Sequence, residues 1–408
     1  MKFIQRVPGR NVTLLVISNG HGEDQVAARI LQALKQSRPP LSIDALPVVG
    51  MGLAYRAQNI SLLVKGKNFS SAGFWGRQFG QDLQDGWINL TLQQINAVWQ
   101  WSQTGGKVLA VGDIVPLMLA WWSGLPYAFV GTAKSEYYHD HHLSRFRSSI
   151  YWPWERWLMA HDRCRGVFPR DRITATHLQQ WSIPVFDCGN PMMDELDPPG
   201  NLPEVPPGCR ILLLPGSHAP EVYANWQLMI SAITGLSKAQ QKYVFLGAIA
   251  PGLDLAPFQT TLVKYGWTTA ANAPYSYYHQ QQQATLWLLP DRFRDCLHAA
   301  NVVLAMAGTA TEQAVGLGKP VITMPGSGPQ FTAQFAKTQA QLLGPSIYLI
   351  KDPVDLPHML SAVQEKCSQP QAWIENGYCR MGTPGASKKI AQTLQTGLLD
   401  CSNPCSLS

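Results

Sequence analysis

Charged residues are scarce in this sequence: Asp, Glu, Lys and Arg together make up 14% of its 408 residues. Globular chains usually carry about a quarter, so the scarcity excludes a highly charged disordered chain and a long solvated coiled coil. The 32 basic and 26 acidic residues leave a net charge of +6, and no run of Lys and Arg exceeds two residues. This mild bias suits an anionic small molecule or an acidic membrane surface better than nucleic acid.

Several catalytic and targeting signatures are also missing. There is no HExxH, GxSxG or GxxxxGK[ST] sequence, so the zincin, α/β-hydrolase and P-loop mechanisms lack their motifs. The eight Cys are scattered without a CxxC pair, which favours free thiols in a reducing compartment. Neither a secretory leader nor an unbroken membrane-spanning stretch is present. We therefore expect a cytoplasmic protein that is at most peripheral on the cytoplasmic face of a membrane.

A proline-rich segment divides the chain. Residues 197–208, DPPGNLPEVPPG, contain five prolines, which stop both helices and central strands. On each side the chain opens with an apolar strand, a glycine-bearing loop and a helix, starting at residues 13–17 and 211–214. The alternation continues in both halves, which predicts two doubly wound α/β domains. The expected parts are domains at 1–196 and 209–380, a linker at 197–208, a last helix in 381–400 and a tail at 401–408.

The first loop, residues 19–24 with the sequence NGHGED, partly matches a dinucleotide-binding fingerprint. It has the first two glycines of GxGxxG, and Asp44 stands about where the ribose-binding acid would be, but Gln25 replaces the third glycine. Glu23 and Asp24 place negative charge in the first turn of the next helix, where it would repel a pyrophosphate. We therefore expect this loop to hold a polar group without phosphate rather than NAD.

His21 stands between two glycines in this loop and is a candidate general base. Asp113 follows another apolar strand of the same half, from where it could fix the tautomer of His21. The alternative is a solvated loop histidine without a catalytic role. The loop residues that we assign to an acceptor are Asn19, Gly20 and Gly22.

Two loops of the second half predict a diphosphate site that needs no metal. Each follows a strand and enters a helix, and their residues are Gly216, Ser217 and His218 in one and Gly308, Thr309, Ala310 and Thr311 in the other. Hydroxyl groups and free N–H groups at helix starts bind phosphate, and the carboxyl ends of parallel strands lie at one edge of a sheet. For either loop alone, capping of its helix by Ser217 or Thr309 is the alternative. Together with the loop at 325–330, the two favour ligand binding.

Two other patterns carry weaker signals. Residues 139–142, His-Asp-His-His, have metal-binding side chains, but consecutive positions point them apart, so we expect no metal site. Residues 145–165 interleave three tryptophans with five arginines, which suits a membrane-interface face. The alternative for this segment is a partly buried helix whose arginines extend to water.

Four segments resemble lipid-A-disaccharide synthase, more closely the lipid-A-disaccharide synthase-related proteins, and more distantly the UDP-N-acetylglucosamine transferase of peptidoglycan synthesis. They are residues 18–24, 188–194, 213–217 and 307–320, and they span most of the chain in the family's order. The resemblance implies a GT-B fold, in which two Rossmann-like doubly wound domains face a cleft and a C-terminal helix crosses back to the first domain. It also implies a UDP-sugar held mainly by the second domain, an acceptor at the first, no metal or other cofactor, and peripheral membrane attachment.

The donor positions implied by the resemblance include two departures from the family. His218 stands where the family has Arg, and the acid that holds the ribose corresponds to Gln313, with Glu312 one place earlier. Because Gln can accept a hydroxyl hydrogen bond, either residue could hold the ribose. Gln330 and Gln334 lie where such folds contact the donor sugar.

These features predict an inverting, metal-independent glycosyltransferase. It would move a hexosyl group from a UDP-sugar to a hydroxyl of a lipid or lipid-linked acceptor, with His21 deprotonating that hydroxyl and Asp113 orienting His21. One alternative is a UDP-sugar 2-epimerase of the same fold, which would need carboxylates near C2 of the donor sugar. The other is a non-catalytic membrane-associated scaffold with a decayed nucleotide site, which His218 and Gln313 motivate.

Overall fold

The computed structural model describes eleven stretches of the chain, and the predicted tail and the 139–142 pattern lie outside them. The stretches are residues 12–37, 41–64, 87–138, 149–200, 202–203, 205–236, 243–270, 275–281, 283–326, 328–329 and 331–399. The chain forms two compact units: Met1–Asp194 with Pro384–Ser408, and Glu195–Thr383.

The first unit contains a six-stranded sheet with the strand order β3-β2-β1-β4-β5-β6, in which every neighbouring pair is parallel. Its strands are β1 Val12–Ser18, β2 Leu41–Pro47, β3 Ser61–Leu62, β4 Lys107–Gly112, β5 Tyr127–Gly131 and β6 Cys164–Pro169. This is the Rossmann order, which reverses direction between β1 and β4. The carboxyl ends of these two strands therefore form the switch point at which such sheets bind ligands.

Helices cover both faces of this sheet. They are α1 His21–Ser37, α2 Leu53–Ala57, α3 Trp87–Ser102, α4 Ile114–Trp122, α5 Pro153–Met159 and α6 Arg172–Leu178, with 3-10 turns at Glu136–Tyr138 and Pro191–Met193. Successive side chains of β1 point to opposite faces, as the period of two in a strand requires. Leu14 and Val16 share a core with α1, whereas Leu15 and Ile17 share one with α3, α4 and α5. Burial on both faces explains why this strand is continuously apolar.

The second unit contains an eight-stranded sheet in the order β14-β13-β12-β7-β8-β11-β10-β9. Its strands are β7 Cys209–Leu214, β8 Tyr243–Ile249, β9 Thr268–Thr269, β10 Ser276–His279, β11 Ala284–Pro290, β12 Val302–Ala305, β13 Val321–Thr323 and β14 Ile347–Leu349. The six strands from β14 to β11 are parallel, and β10 and β9 add an antiparallel edge. The switch point of this sheet lies between β7 and β12.

Among the described residues, seven helices flank the second sheet and cover a core that includes Trp226, Phe245 and Phe258. They are α7 Glu221–Thr234, α8 Ala256–Lys264, α9 Phe293–Ala299, α10 Thr309–Gly316, α11 Ala333–Leu343, α12 Leu356–Lys366 and α13 Gln371–Met381, with 3-10 turns at Gly344–Ser346 and Pro353–Asp355.

The last helix, α14 Ala386–Leu394, returns to the first unit and continues as a π-helical turn at Gln395–Leu399. Its apolar side packs against α1 through Ile390 and Leu394. The Asp194 carboxylate accepts hydrogen bonds from the backbone N–H groups of Gly385, Ala386 and Ser387 at 2.5, 3.1 and 2.7 Å, and so caps the helix. The predicted crossing of the C-terminal helix to the first domain is confirmed.

Candidate functional site

The first group of candidate residues lies at the switch point of the first sheet. Asp113 follows β4 and caps α4, because one of its carboxylate oxygens accepts the Val115 N–H at 2.9 Å. Its other oxygen accepts the side-chain amide of Asn19, which follows β1, at 2.8 Å. Asn19 and Asp113, which were assigned to one site from the sequence, are therefore joined directly.

Glu23 is the third member of this group, and its carboxyl group lies between the ends of β1, β4 and β5. One oxygen accepts the Thr132 hydroxyl at 3.3 Å. Gly20 and Gly112 have φ values of +126° and +128°, which favour glycine. A Cβ at Gly20 would lie 2.6 Å from a Glu23 carboxyl oxygen, and a Cβ at Gly112 would lie 3.1 Å from the Glu23 Cγ. A side chain at either position would therefore displace the Glu23 side chain.

Asp24, the next residue, is fully buried beside this group. Its carboxyl group accepts the Ser18 hydroxyl at 2.6 Å, and Ser18 in turn forms a 2.6 Å hydrogen bond with the Tyr55 hydroxyl. Asp24 therefore belongs to an internal hydrogen-bond network rather than to the free end of α1.

Burial raises the pKa of all three carboxyl groups. The pKa of Glu23 rises to about 7, first because of desolvation and further because of the negative charge of Asp113, while the Thr132 hydrogen bond opposes the rise. Desolvation also raises the pKa of Asp24 to about 6 and that of Asp113 above its ordinary value. A carboxyl group that titrates near neutral pH can accept a proton from a substrate hydroxyl, so Glu23 has the properties of a general base.

His21 begins α1 and is exposed, and Gly22 follows it in the first turn. Throughout the described stretches, no hydrogen bond joins His21 to Asp113, so the predicted orientation of His21 by Asp113 is not present. The two carboxylate oxygens of Asp113 instead accept the Val115 N–H and the Asn19 amide. A role for His21 in catalysis stays a prediction.

The structure also accounts for Asp44, which stood where a dinucleotide site would place its ribose-binding acid. Its carboxylate accepts the indole N–H of Trp101 at 2.8 Å. This contact gives Asp44 a structural role within the first unit.

The second group of candidate residues lies at the switch point of the second sheet, on the loops that follow β7 and β12. The loops start side by side, because the Met306 N–H donates to the Leu214 carbonyl at 2.8 Å. Ser217 and His218 are both exposed, and the Ser217 hydroxyl lies 3.1 Å from Nδ1 of His218. Gly216 precedes them and is partly buried.

Neither of the helices that follow these loops has a side-chain cap. α7 begins after Pro220 and α10 begins after Gly308, and in both the N-cap residue makes no side-chain hydrogen bond. The capping roles considered for Ser217 and Thr309 are therefore not the ones they have, and Thr309 is exposed as the first residue of α10. The start of α10 therefore offers the exposed Thr309 hydroxyl and its first backbone N–H groups to an anion. At the start of α7 the N–H groups of Val222 and Tyr223 already donate to the His218 and Pro220 carbonyls at 2.9 and 3.1 Å, so the loop after β7 contributes the exposed Ser217 hydroxyl instead.

Buried polar side chains hold the loops after β12 and β13 in place. The Gln339 side-chain amide, on α11, donates to the carbonyls of Ala307 and Gly308 at 3.1 Å each. Glu221, the first residue of α7, accepts the Phe331 N–H at 2.7 Å and so ties the loop after β13 to this helix. These bonds fix backbone positions on which the candidate anion site depends.

Thr311 does not face the same space as Thr309. Its side chain is fully buried, and its hydroxyl donates to the Ala307 carbonyl four residues earlier at 2.6 Å. In this structure Thr311 therefore has a structural contact inside α10, and its assignment to the nucleotide stays a prediction.

The other donor positions differ in exposure. Ala310 and Glu312 are partly buried, Gln313 is buried, and Gln334 is exposed on α11 with its amide 3.4 Å from the Thr338 hydroxyl. Gln330 lies outside the described residues. Of the two residues that could bind the ribose hydroxyls, Glu312 is more exposed than Gln313.

In the described stretches, no helix combines the length and apolar character needed to cross a bilayer. The same stretches hold no group of three or more His, Cys, Asp and Glu side chains arranged to bind a metal ion.

No protein-family model matches the chain, and no curated protein matches its sequence. Solved structures, however, are similar to it over nearly its whole length. A putative UDP-N-acetylglucosamine 2-epimerase from Listeria monocytogenes has a TM-score of 0.57 at 12% identity, with 95% of this chain and 96% of that chain covered. MurG from Acinetobacter baumannii has a TM-score of 0.57 at 14% identity, covering 94% and 99%. UDP-GlcNAc 2-epimerase from Neisseria meningitidis, bound to UDP-GlcNAc, has a TM-score of 0.54 at 14% identity, covering 94% and 100%.

The chain has a GT-B fold. The prediction of two Rossmann-like α/β domains of this type is confirmed. At identities this low the similarity shows the fold alone, and the fold hosts both sugar transfer and sugar epimerisation. The specific resemblance to lipid-A-disaccharide synthases stays a prediction.

Two residues important to the candidate site were not assigned from the sequence. Glu23 was noted only as a helix-end charge, and its environment comes from Gly112, Asp113 and Thr132, about 90 to 110 positions away. Gln339 lies among other Gln residues of α11 and differs from Gln334 only in facing inward. Helical spacing of the buried residues on α11 is the signal that could have separated the two.

Proposed function

We propose that the second unit binds a UDP-sugar and that the protein transfers the sugar to a hydroxyl of a lipid-linked acceptor, with inversion and without a metal. The observation that carries the proposal is the meeting of two loops at the adjacent ends of β7 and β12, the second of which enters α10 without a side-chain cap. They bring the hydroxyls of Ser217 and Thr309 and the backbone around Gly308 to one switch point. Such a site suits a diphosphate, since helix N–H groups and dipoles stabilise its negative charge.

In the proposed reaction the acceptor oxygen attacks C1 of the sugar, the bond from C1 to the diphosphate breaks, and the acceptor proton passes to the Glu23 carboxylate. The start of α10 and the Ser217 hydroxyl stabilise the leaving UDP, on which negative charge builds as the bond breaks. Glu23 can accept the proton of the acceptor hydroxyl because its pKa of about 7 leaves it ionised in part at neutral pH. Asp113 assists by raising that pKa through its own charge.

Calorimetric titration with UDP, first without and then with magnesium, tests the donor site. We expect binding with a Kd of about 1–100 μM that magnesium leaves unchanged, since the site supplies its own positive dipoles. Absence of binding at millimolar UDP would overturn the proposal and favour a scaffold without a nucleotide site.

A matched pair of threonine substitutions on α10 tests which hydroxyl faces the nucleotide. Thr309→Val is expected to weaken UDP binding about tenfold, because an exposed hydroxyl at the helix start is lost to a charged phosphate. Thr311→Val is expected to leave UDP affinity within about twofold and to lower the free energy of unfolding by about 1 kcal/mol, through loss of its bond to Ala307. Calorimetry and chemical denaturation of both variants give the two readouts. A reversed pattern would mean that Thr311 turns toward the ligand.

A second candidate function is epimerisation of a UDP-sugar at C2. The observation that favours it is the cluster of three carboxyl groups with raised pKa values, Glu23, Asp24 and Asp113, since proton removal from carbon requires such groups. Proton NMR of UDP-N-acetylglucosamine incubated with the protein alone separates the candidates. A 2-epimer formed without acceptor would favour the epimerase, and label transferred to a lipid extract would favour the transferase.

A further inference from the structure

The loop after β7 presents two polar side chains next to each other at the switch point of the second sheet. Ser217 and His218 are both exposed, and the Ser217 hydroxyl oxygen lies 3.1 Å from Nδ1 of His218. One hydrogen atom joins these two atoms, and it belongs either to the hydroxyl or to the ring nitrogen. Its position decides what the pair offers to a ligand.

The backbone of this loop is held at both ends. The Asn225 side-chain amide donates to the Pro215 carbonyl at 3.0 Å, and the His218 carbonyl accepts a backbone N–H of α7 at 2.9 Å. Between them, a Cβ on Gly216 would lie 3.4 Å from the Met306 carbonyl oxygen, where the loop after β12 begins. The backbone contacts therefore fix the place of the pair, and its two exposed side chains remain to bind a ligand.

Positive charge is scarce in the loops of the candidate diphosphate site. The loops after β7, β12 and β13, residues 215–220, 306–308 and 324–332, contain no Lys or Arg, and His218 is their one titratable residue. Histidine is the side chain whose charge ordinarily changes between about pH 5 and pH 8. These loops can therefore supply a side-chain cation only when His218 takes up a proton.

Other charged and titratable groups lie on the elements around this loop. Glu221, at the start of α7, is buried, and its carboxylate accepts the Phe331 N–H at 2.7 Å. Asp254, in the loop after β8, is exposed and accepts the Ala256 N–H at 3.0 Å. The remaining groups are Tyr223 on α7, Glu312 on α10 and Lys337 on α11. A diphosphate bound here adds negative charge to a setting with more carboxyl groups than cations, and this favours proton uptake by a neighbouring histidine.

The pair is poorly matched to a diphosphate while its hydrogen atom points from Ser217 to His218. Phosphate oxygens accept hydrogen bonds, and a serine hydroxyl has a single hydrogen to donate. A proton on Nδ1 reverses the bond, because the ring then donates to the Ser217 oxygen and the hydroxyl hydrogen becomes free to reach the phosphate. The same proton makes the ring a cation, and hydrogen bonds between a cation and an anion are the stronger ones.

We propose that Ser217 and His218 bind the diphosphate as a proton-dependent pair, in which His218 takes up a proton from solvent as the nucleotide binds. This role deepens the proposed function and rests on it, because the ligand is the diphosphate of the donor. Since the bound state holds one more proton than the free protein, UDP affinity falls as the pH rises.

Calorimetric titration of the full chain with UDP at about pH 7.5, in Tris and in HEPES, measures the proton uptake, because the two buffers give up a proton with different heats. We expect at least about half a proton to be taken up per UDP, and UDP affinity to fall about three- to tenfold between about pH 7 and pH 8.5. His218→Gln should bind UDP more weakly, take up almost no proton and lose this pH dependence. His218→Arg should restore the affinity without proton uptake, since Arg stays charged throughout.

His358→Gln is the matched control, because His358 is also an exposed histidine of the second unit but lies on α12. Its affinity and proton uptake should equal those of the unsubstituted protein. Ser217→Ala should weaken UDP binding and keep the proton uptake, because the imidazole remains. Thermal unfolding of each variant checks that the second unit stays folded.

Two results would overturn the proton-dependent pair and leave the donor site in place. One is UDP binding without proton uptake, which would mean that a neutral His218 suffices. The other is proton uptake by His218→Gln equal to that of the unsubstituted protein. Absence of UDP binding by the unsubstituted protein would overturn the donor site and the pair together.

Discussion

Replacement of Glu23 by Gln is expected to lower the rate of sugar transfer by about 10²–10⁴-fold, the usual contribution of a general base. Gln has nearly the shape of Glu and can still accept the Thr132 hydroxyl, but it cannot take a proton. UDP affinity should stay within about twofold, since the nucleotide is assigned to the other unit. The rate is measured as label moved from a UDP-sugar into a lipid extract.

The pH dependence of the reaction provides the control for this assignment. A base with a pKa of about 7 must be ionised, so the rate should rise through about pH 7 and then level off. Asp113→Asn keeps a side chain able to cap α4 but removes a negative charge that raises the Glu23 pKa, so the midpoint should move to lower pH. If His21→Ala removed the activity while Glu23→Gln kept it, the base would be His21 instead.

Rising pH should lower the free energy of unfolding, whereas it should raise the rate of sugar transfer. Because the pKa of Glu23 is raised on folding, the folded chain binds more protons than the unfolded chain between about pH 4.5 and 7, and stability falls as the pH rises through that window. Glu23→Gln removes this effect. The variant should be more stable than the unsubstituted protein by about 1–2 kcal/mol at about pH 8, with no difference below about pH 4, as denaturant unfolding would show.

Gly308→Asp is expected to weaken UDP binding by about a hundredfold or more. A Cβ at Gly308, the N-cap of α10, would meet only Phe335, at 3.9 Å. An Asp side chain at this position places its charge where the phosphate would bind. The backbone angles of Gly308, φ −80° and ψ −95°, lie outside the regions usual for residues with a side chain, so the free energy of unfolding should fall by about 1 kcal/mol.

Gly308→Asn is the matched control for this substitution, because Asn caps a helix about as well as Asp but carries no charge. Its effect on UDP affinity should be clearly smaller than that of Gly308→Asp, and the difference measures the electrostatic repulsion. Calorimetry and thermal unfolding report binding and stability separately. Unchanged UDP affinity in Gly308→Asp would show that the diphosphate lies elsewhere.

Much of the architecture could be predicted from local patterns. The apolar run of β1 and the glycine loop after it indicated a buried strand leading into a helix, and the same sequence of features from Cys209 onward indicated the second unit. Ser217 and Gly308 were placed correctly at the ends of strands for a similar reason. Backbone conformation depends mainly on near neighbours, and strand–loop–helix units of this kind combine in few ways.

The sequence by itself determined the two α/β units and the loops at their switch points. Only the tertiary structure decided the surroundings of the side chains on those loops. It buried Thr311, left Thr309 exposed, joined Asp113 to Asn19 and raised the pKa of Glu23. A pKa and a side-chain direction depend on atoms that folding brings near from about a hundred residues away, and no local pattern encodes their distance.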